Sequence, residues 1–208
     1  MYNRKQVKME AKQSIHSNFG IAIATLLVGG LILAASAYIP FATIILMGSL
    51  SVGLAIVMIG IVRGTAVEFK DLFGGFNNFG TTCLAGVLVS LFTALWSLLF
   101  VIPGIVKYYS YSMTFYILAD HPEMSATEAI DASRKMMDGH KMDLFILQLS
   151  FFWWYLLCGI TFGLAYIYVA PYVSAATAKF YDTIKGDDAT VEEDVVIDAD
   201  KAVEDENA

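Results

Sequence analysis

Long stretches without any charged residue dominate the chain. Phe19–Val62 holds 44 consecutive residues without Asp, Glu, Lys or Arg, Leu144–Ala178 holds 35 and Thr81–Val106 holds 26. A hydrocarbon core about 30 Å thick needs roughly 20 apolar residues per helix, so the first two stretches are each long enough for a helical hairpin. Helices buried in a soluble core are the alternative, but such cores rarely hold uncharged runs of this length.

Prolines divide these stretches into helices. Pro40 separates two spans, Pro103-Gly104 ends a third, and Pro122 follows a short fourth segment, at boundaries where the missing N–H costs least. Pro171 lies inside the last segment, where we expect a kink that neighbouring helices tolerate. The predicted spans are about 19–38, 42–62, 82–102, 105–119, 143–159 and 162–181.

The distribution of charge predicts the orientation of these spans. With six spans and the N-terminus inside, Lys107 is the basic residue on the outer side, and twelve basic residues lie on the inner side: Arg4, Lys5, Lys8, Lys12, Arg63, Lys70, Arg134, Lys135, Lys141, Lys179, Lys185 and Lys201. Inner loops of membrane proteins are enriched in Lys and Arg. The predicted fold class is therefore an all-α, polytopic transmembrane bundle with both ends in the cytoplasm. Segment 105–119, of only 15 residues, could instead be re-entrant.

Composition agrees with this pattern and separates a tail from the body. Apolar residues make up 57% of the chain and charged residues 16%, against about 25% charged in ordinary soluble domains. The net charge of −7 comes from the tail, since residues 186–208 hold ten acids against Lys201. We therefore predict a membrane domain at 1–185 and a disordered acidic tail at 186–208.

Two polar segments predict amphipathic cytoplasmic helices. Ser125 and Glu128 have the spacing of a capping box, Gly139 can end the helix, and the apolar positions of 125–138 fall on one face. Packing against the membrane or the bundle is the expected role, and docking of a protein partner is the alternative. In the leader, Arg4, Lys8 and Lys12 form a basic stripe that could attract anionic lipid or act in topology alone.

Candidate chemistry is sparse. The histidines His16, His121 and His140 lie in separate segments without ligand spacing, and the apolar stretches contain no His, Asp or Glu. Lys107 is the ionisable candidate within the spans, and its stem can snorkel towards the interface. The sequence thus predicts no catalytic, cofactor or metal site, no enzyme activity and no nucleic-acid partner.

The remaining candidate residues concern packing and binding. Gly53 and Gly60 lie with Ser49 and Gly64 on one narrow arc of the second span, where small residues permit close helix contact. Further candidates are Gln148, Trp154, Pro171 and Tyr172. A path for a neutral solute is an alternative use of polar residues in the later spans: Ser110, Ser112, Gln148, Thr161 and Tyr172.

The order of several short motifs resembles an uncharacterised bacterial integral-membrane family, domain of unknown function 975. The motifs are Pro103-Gly104, Tyr109-Ser110-Tyr111-Ser112-Met113, Asp120, Pro122, Ser125, Ala129, Ser133, Met137, Gly139-His140-Lys141, Leu144-Phe145, Leu149-Ser150-Phe151, Trp154, Pro171-Tyr172 and Phe180-Tyr181. Asp138 and Trp153 depart from the pattern, which favours a basic residue and a glycine there. The resemblance covers most of residues 1–185 and implies a small multi-span bundle in the bacterial cytoplasmic membrane, without implying an activity.

These features favour one function class over another. Embedded segments poor in reactive groups, beside amphipathic helices, predict a non-enzymatic membrane component that interacts with membrane lipid or with a protein partner through 125–138. A small-solute transporter or channel is the alternative.

Overall fold

The chain is helical throughout the part that the structure describes. The computed structural model describes residues 4–36, 38, 42–99, 101–161, 163 and 165–206; the side chains of 4, 16, 17, 42, 44, 45, 99, 101 and 187–206 lie outside that description. The helices are α1 (Arg4–Ser36), α2 (Ala42–Arg63), a 3₁₀ helix (Phe69–Phe76), α3 (Phe79–Leu99), α4 (Val101–Tyr111), α5 (Thr114–Asp120), α6 (Ala126–Met136), α7 (Lys141–Leu149), α8 (Phe152–Ile160) and α9 (Tyr166–Glu206).

Four segments of the described chain are long and apolar enough to cross a membrane: Asn18–Ser36, Leu46–Arg63, Phe79–Leu98 and Lys141–Ile160. They match the first, second, third and fifth predicted spans. Within the protein, 61% of the Leu46–Arg63 window is buried, against 17% in each of the other three. The helix α2 is thus the centre of the bundle, and the other three present most of their apolar surface outward, which suits contact with lipid.

A break at Asn18 divides α1 into a charged leader and an apolar helix. The φ and ψ of Asn18 are −126° and 27°, outside the helical region. Before the break, the stripe of Val7, Ala11 and Ile15 is buried in the core. The leader therefore packs against the bundle, and its basic residues lie beside that contact.

Glycines let the chain after α2 return along that helix, backbone against backbone. A Cβ added at Gly53 would lie 1.7 Å from the carbonyl oxygen of Leu72, and one added at Gly75 would lie 2.0 Å from that of Ser49. A Cβ at Gly60 would meet the Val67 side chain at 2.4 Å. The small-residue arc predicted on the second span is thus the face against which the 3₁₀ helix packs.

The segment predicted as the fourth span, 105–119, is divided between α4 and α5. The hydroxyl of Ser133, on α6, accepts a hydrogen bond from the Met113 N–H at 3.2 Å and donates one to the Ser110 carbonyl at 2.9 Å. A side chain from another helix therefore serves backbone groups at the break. The sequence of the segment itself carries no breaker, which is why it reads as one helix.

The last two predicted spans also differ from the structure in their limits. A turn at Ser150–Phe151 separates α7 from α8, and α9 begins at Tyr166 rather than near 162. Pro171 lies inside α9 as expected. The helix α9 continues to Glu206, and the side chains beyond Gly186 lie outside the described part, so the disorder of 186–208 stays a prediction.

The other prolines and α6 follow simple backbone rules. Pro103 is in the first turn of α4, where the missing N–H is not needed, and Pro40 falls outside the described residues. The predicted capping box is confirmed, since Glu128 N–H donates to Ser125 Oγ at 3.3 Å and Ser125 N–H donates to Glu128 Oε2 at 2.8 Å. Gly139 follows with a φ of +84°, a conformation that favours glycine.

The substitution Gly53→Ala tests the close packing of the 3₁₀ helix on α2. The added methyl group meets a backbone carbonyl that cannot rotate away, so we expect a loss of stability of about 1–3 kcal/mol. The measurement is the midpoint of thermal unfolding in detergent. Gly20→Ala is the matched control, because nothing lies within 4 Å of its Cβ, and it should be neutral or slightly stabilising. Equal midpoints for the two variants would contradict the packing.

Candidate functional site

Arg63, the last residue of α2, joins three helices. Its guanidinium donates two parallel hydrogen bonds of 2.8 Å to the carboxylate of Asp120, which ends α5. It also donates to Oδ1 of Asp182, on α9, at 2.6 and 3.0 Å. Paired Arg–carboxylate bonds fix geometry as well as charge, so this contact holds α2, α5 and α9 in one arrangement.

Asp120 receives further donors from α9. The Tyr181 hydroxyl donates to Oδ2 at 3.0 Å, and the Lys185 ammonium donates to the same oxygen at 2.9 Å. The Asp120 side chain is only 11% exposed. We call Arg63, Asp120, Tyr181, Asp182 and Lys185 the ionic cluster. Because one carboxylate accepts from three side chains, the cluster depends on Asp120 being ionised.

The pKa of Asp120 reflects a balance between burial and these donors. Burial favours the neutral acid, but the hydrogen bonds and charges of Arg63 and Lys185 outweigh it and lower the pKa from 3.8 to about 2. The folded state therefore holds the carboxylate more tightly ionised than the unfolded chain does. The resulting stabilisation is complete above the unfolded pKa and is lost as pH falls through the folded one.

A second polar contact fastens the leader to the last helices. Lys8 Nζ donates to Ser150 Oγ at 2.9 Å and lies 4.1 Å from the centre of the Phe151 ring. The Tyr172 hydroxyl donates to the Lys8 carbonyl at 3.3 Å. Glu10 pairs with Lys179 at 2.8 Å. The N-terminal leader is thus held beside α9 and the turn between α7 and α8.

The predicted candidates on the later spans lie in separate local contacts. Lys107 sits over the Trp96 ring at 5.0 Å, a cation–π contact. Gln148 Oε1 accepts from the Tyr109 hydroxyl at 2.8 Å, and Trp154 contacts the Tyr168 ring at 6.4 Å. The structure does not bring these residues together into one site.

The residues predicted to line a solute path use their hydroxyls mainly within their own helices. Ser110 donates to the Val106 carbonyl, Ser112 to that of Tyr109 and Thr161 to that of Leu157, at 3.0, 2.7 and 2.9 Å. Such bonds to a preceding turn satisfy a hydroxyl without a solute. The polar residues of these spans therefore give little support to a continuous path.

The helix α6 turns its apolar side towards the protein. Ala126, Ala129, Ile130 and Ser133 are buried, whereas the exposed residues are mostly charged, among them Glu128, Asp131, Arg134 and Lys135. A protein partner at 125–138 would therefore meet a charged surface rather than an apolar one.

A cavity of about 270 Å³ lies between α1, α2 and α9. We call it the apolar cleft, and its lining is largely aliphatic: Ile23, Thr25, Leu26, Leu27, Gly29, Gly30, Leu33, Leu50, Ser51, Leu54, Leu72, Tyr166, Ile167, Ala170 and Pro171. A Cβ added at Gly29 or Gly30 would have nothing within 4 Å. The two glycines therefore leave room in the cleft.

An aromatic pocket of about 170 Å³ is lined by Lys12, Ile15, Phe19, Tyr168 and Tyr172. Among the described residues, no group of His, Cys, Asp and Glu could hold a metal ion, and Cys83 and Cys158 are free thiols. His121 and His140 each lie near a single acid, Glu123 at 3.2 Å and Asp143 at 3.4 Å, while the His16 side chain lies outside the description.

Residues 101–188 match the model of a family described as a protein of unknown function, DUF975. This part of the chain is therefore similar to the DUF975 family. No curated protein and no solved structure matches the chain. The matched region contains every residue of the ionic cluster except Arg63, which comes from α2.

Sequence reasoning missed the ionic cluster, although a signal for it was present. Arg63, Asp120 and Asp182 directly follow the predicted spans 42–62, 105–119 and 162–181. With the N-terminus inside, all three of these spans end on the same side of the membrane. Opposite charges at matching depths indicate an ion pair. From the sequence, we used these charges only to predict the orientation of the spans.

The substitution Asp120→Asn tests the ionic cluster. It removes the charge that three donors share, so we expect a loss of about 1–3 kcal/mol at neutral pH, measured by thermal unfolding in detergent. The difference from the unaltered protein should shrink as pH falls from about 4 towards 2, because the native carboxyl is protonated there. Asp131→Asn is the control, since its side chain is 63% exposed and such pairs contribute little. A pH-independent difference would contradict the ionised cluster.

Proposed function

We propose that the protein is a non-enzymatic, multi-pass component of the bacterial cytoplasmic membrane that binds membrane lipid in the apolar cleft. The cleft itself is the observation that carries this proposal. It lies within the segment Asn18–Ser36, where the surroundings in a bilayer are hydrocarbon. An aliphatic cavity at that depth suits an acyl chain, because water finds too few polar partners there.

The shape of the cleft follows from small residues and one proline. Gly29 and Gly30 remove side chains from the α1 wall, and Pro171 stands in the α9 wall, where its ring leaves the carbonyl one turn earlier without the usual donor. Side chains of ordinary size at the glycines would fill the space. The cleft is thus a consequence of composition at a few positions, which makes it testable by substitution.

The absence of embedded reactive groups supports a role without catalysis. The three uncharged stretches contain no His, Asp or Glu, so they offer no acid, base or carboxylate nucleophile within the membrane. Ionisable residues inside membranes commonly mark proton and ion pathways. Small-solute transport remains the alternative, and a flux assay in reconstituted vesicles would test it.

We propose six crossings with both ends inside, and the ionic cluster supports an even number of them in each interval of chain that it joins. Atoms joined at 2.6–3.0 Å lie on one side of a membrane, so Arg63, Asp120 and Asp182 share a side. The chain therefore crosses an even number of times between Arg63 and Asp120, and again between Asp120 and Asp182. Each interval contains one of the four long apolar segments, and we infer that 101–119 supplies the return crossing of the first interval.

Cysteine labelling tests this arrangement. In a background with Cys83→Ser and Cys158→Ser, single cysteines replace Tyr38, Ile102 or Ile160, which are 91%, 76% and 69% exposed. A membrane-impermeant maleimide should label all three in intact cells. Cysteines at Asn77 and Lys135 should react only after the cells are permeabilised. Labelling of a cysteine at position 135 in intact cells would contradict the orientation. If the cysteine at position 102 is not labelled in intact cells, the chain has one pair of crossings fewer than proposed.

The substitution Gly29→Leu tests lipid binding in the apolar cleft. The leucine side chain occupies the space that an acyl chain would fill. We therefore expect the purified variant to retain at most about half as much lipid as the unaltered protein. Native mass spectrometry of the detergent-purified protein counts the retained lipids. Gly20→Leu is the matched control, because its Cβ also meets nothing within 4 Å but Gly20 does not line the cleft. Unchanged lipid retention in Gly29→Leu would contradict the proposal.

A further inference from the structure

The aromatic pocket lies where the charged leader of α1 meets the apolar helix. Lys12 and Ile15 precede the break at Asn18 and Phe19 follows it, while Tyr168 and Tyr172 form the facing wall on α9. The first candidate membrane segment begins at Asn18. The pocket therefore spans the level at which lipid headgroups meet hydrocarbon, where tyrosines are enriched.

Ring contacts hold the walls of the pocket in place. The Tyr168 ring contacts those of Phe19 at 5.5 Å and Trp154 at 6.4 Å. The Tyr172 ring meets Phe151 edge-on at 5.1 Å, and its hydroxyl donates to the Lys8 carbonyl. Such aromatic pairs add to the stability of a cluster, so the space of about 170 Å³ is set by a packed framework.

The two lysines on this face of α1 differ in their surroundings. Lys8 is engaged by Ser150 and by the Phe151 ring. Lys12, one turn later, is exposed and lines the pocket, and within the described side chains no acid lies at ion-pair distance from it. The Tyr168 hydroxyl likewise has no hydrogen-bond partner among the described residues. A cation and a hydroxyl donor thus border the same cavity.

We propose that the aromatic pocket binds the phosphate of an anionic phospholipid headgroup. The Lys12 ammonium pairs with a phosphate oxygen, and the Tyr168 hydroxyl donates to a second oxygen. The fatty chains then lie along the exposed apolar surface of α8, which includes Phe152, Trp154 and Tyr155. This inference rests on the proposed lipid binding but uses residues that do not line the apolar cleft.

The chemistry favours a headgroup over other anions. An exposed lysine near an anionic membrane surface gains attraction from many lipids at once, and the tyrosines supply the half-polar surroundings that a headgroup occupies. The pocket opens next to the segment Asn18–Ser36, so a lipid reaches it from within the bilayer. A soluble phosphate is also an anion, but it has no fatty chains that could contact the apolar surface beside the pocket.

The test uses the full-length protein in nanodiscs that contain equal amounts of phosphatylglycerol and phosphatidylcholine lipids, followed by native mass spectrometry. We expect the unaltered protein to retain the anionic lipid preferentially. Lys12→Gln should weaken this preference roughly five-fold, whereas Lys12→Arg should keep it. Lys70→Gln is the matched control, because Lys70 is an exposed lysine at a distance from the pocket in sequence, with a side chain 74% exposed.

The possible outcomes separate the two proposals. If the protein retains lipid without headgroup preference, or if Lys12→Gln and Lys70→Gln behave alike, the headgroup site is overturned while lipid binding in the cleft stands. If the unaltered protein retains no lipid at all, the proposed function is overturned as well. Inorganic phosphate is added in a separate arm. If it displaces the anionic lipid at millimolar concentration, the pocket is a soluble-phosphate site and the lipid assignment fails.

Discussion

One arginine shared between two carboxylates constrains this protein more than any other feature. Moving an ionised side chain into hydrocarbon is costly, and Arg63 pairs with two carboxylates that lie 57 and 119 residues further along the chain. Those pairs require the intervening chain to leave and return. Helices α3 to α5, and then α6 to the first part of α9, consequently bring the chain back to the end of α2.

The position of α2 depends on a second constraint, the absence of side chains. Gly53 and Gly75 allow carbonyl groups of Leu72 and Ser49 to approach where a methyl group could not fit. The ionic cluster fixes the last residue of α2, and the glycine contacts fix its middle. Between them the helix is held by charge at one end and by shape along its length, which explains why it is the most buried of the four apolar segments.

Composition and spacing predicted the helical class, the four long apolar segments and the cap at Ser125. They did not predict the breaks at Ser112–Met113 and at Ser150, because the side chains that contact these breaks come from distant residues. Ser133 is the clearest example, since its hydroxyl serves the Met113 and Ser110 backbone although nothing near 110–113 in the sequence indicates a turn. The two cavities were beyond sequence reasoning for the same reason, as each is bounded by helices far apart in the chain.

The candidate residues divide into those whose effect on the backbone is local and those whose partners are distant in the sequence. Gly53, Gly60 and Pro171 were found because glycine and proline alter the backbone wherever they occur. Lys107, Gln148 and Trp154 were chosen for their chemical character, yet each has a partner on another helix that the sequence did not reveal. Asp120 and Tyr181 were noticed only as parts of a family motif, and their chemistry emerged from the meeting of α5 and α9.

The sharing of Asp120 has a consequence for biogenesis. Arg63 and Asp120 are both synthesised well before Tyr181 and Lys185, so a nascent chain can pair the first two charges but lacks the two further donors to Asp120 until α9 has been made. The earlier helices can pack on one another first, but the end of α2 is fastened to α9 only at that late step. A chain that ends before Tyr181 therefore keeps the Arg63–Asp120 pair but lacks the contact that ties α2 and α5 to α9.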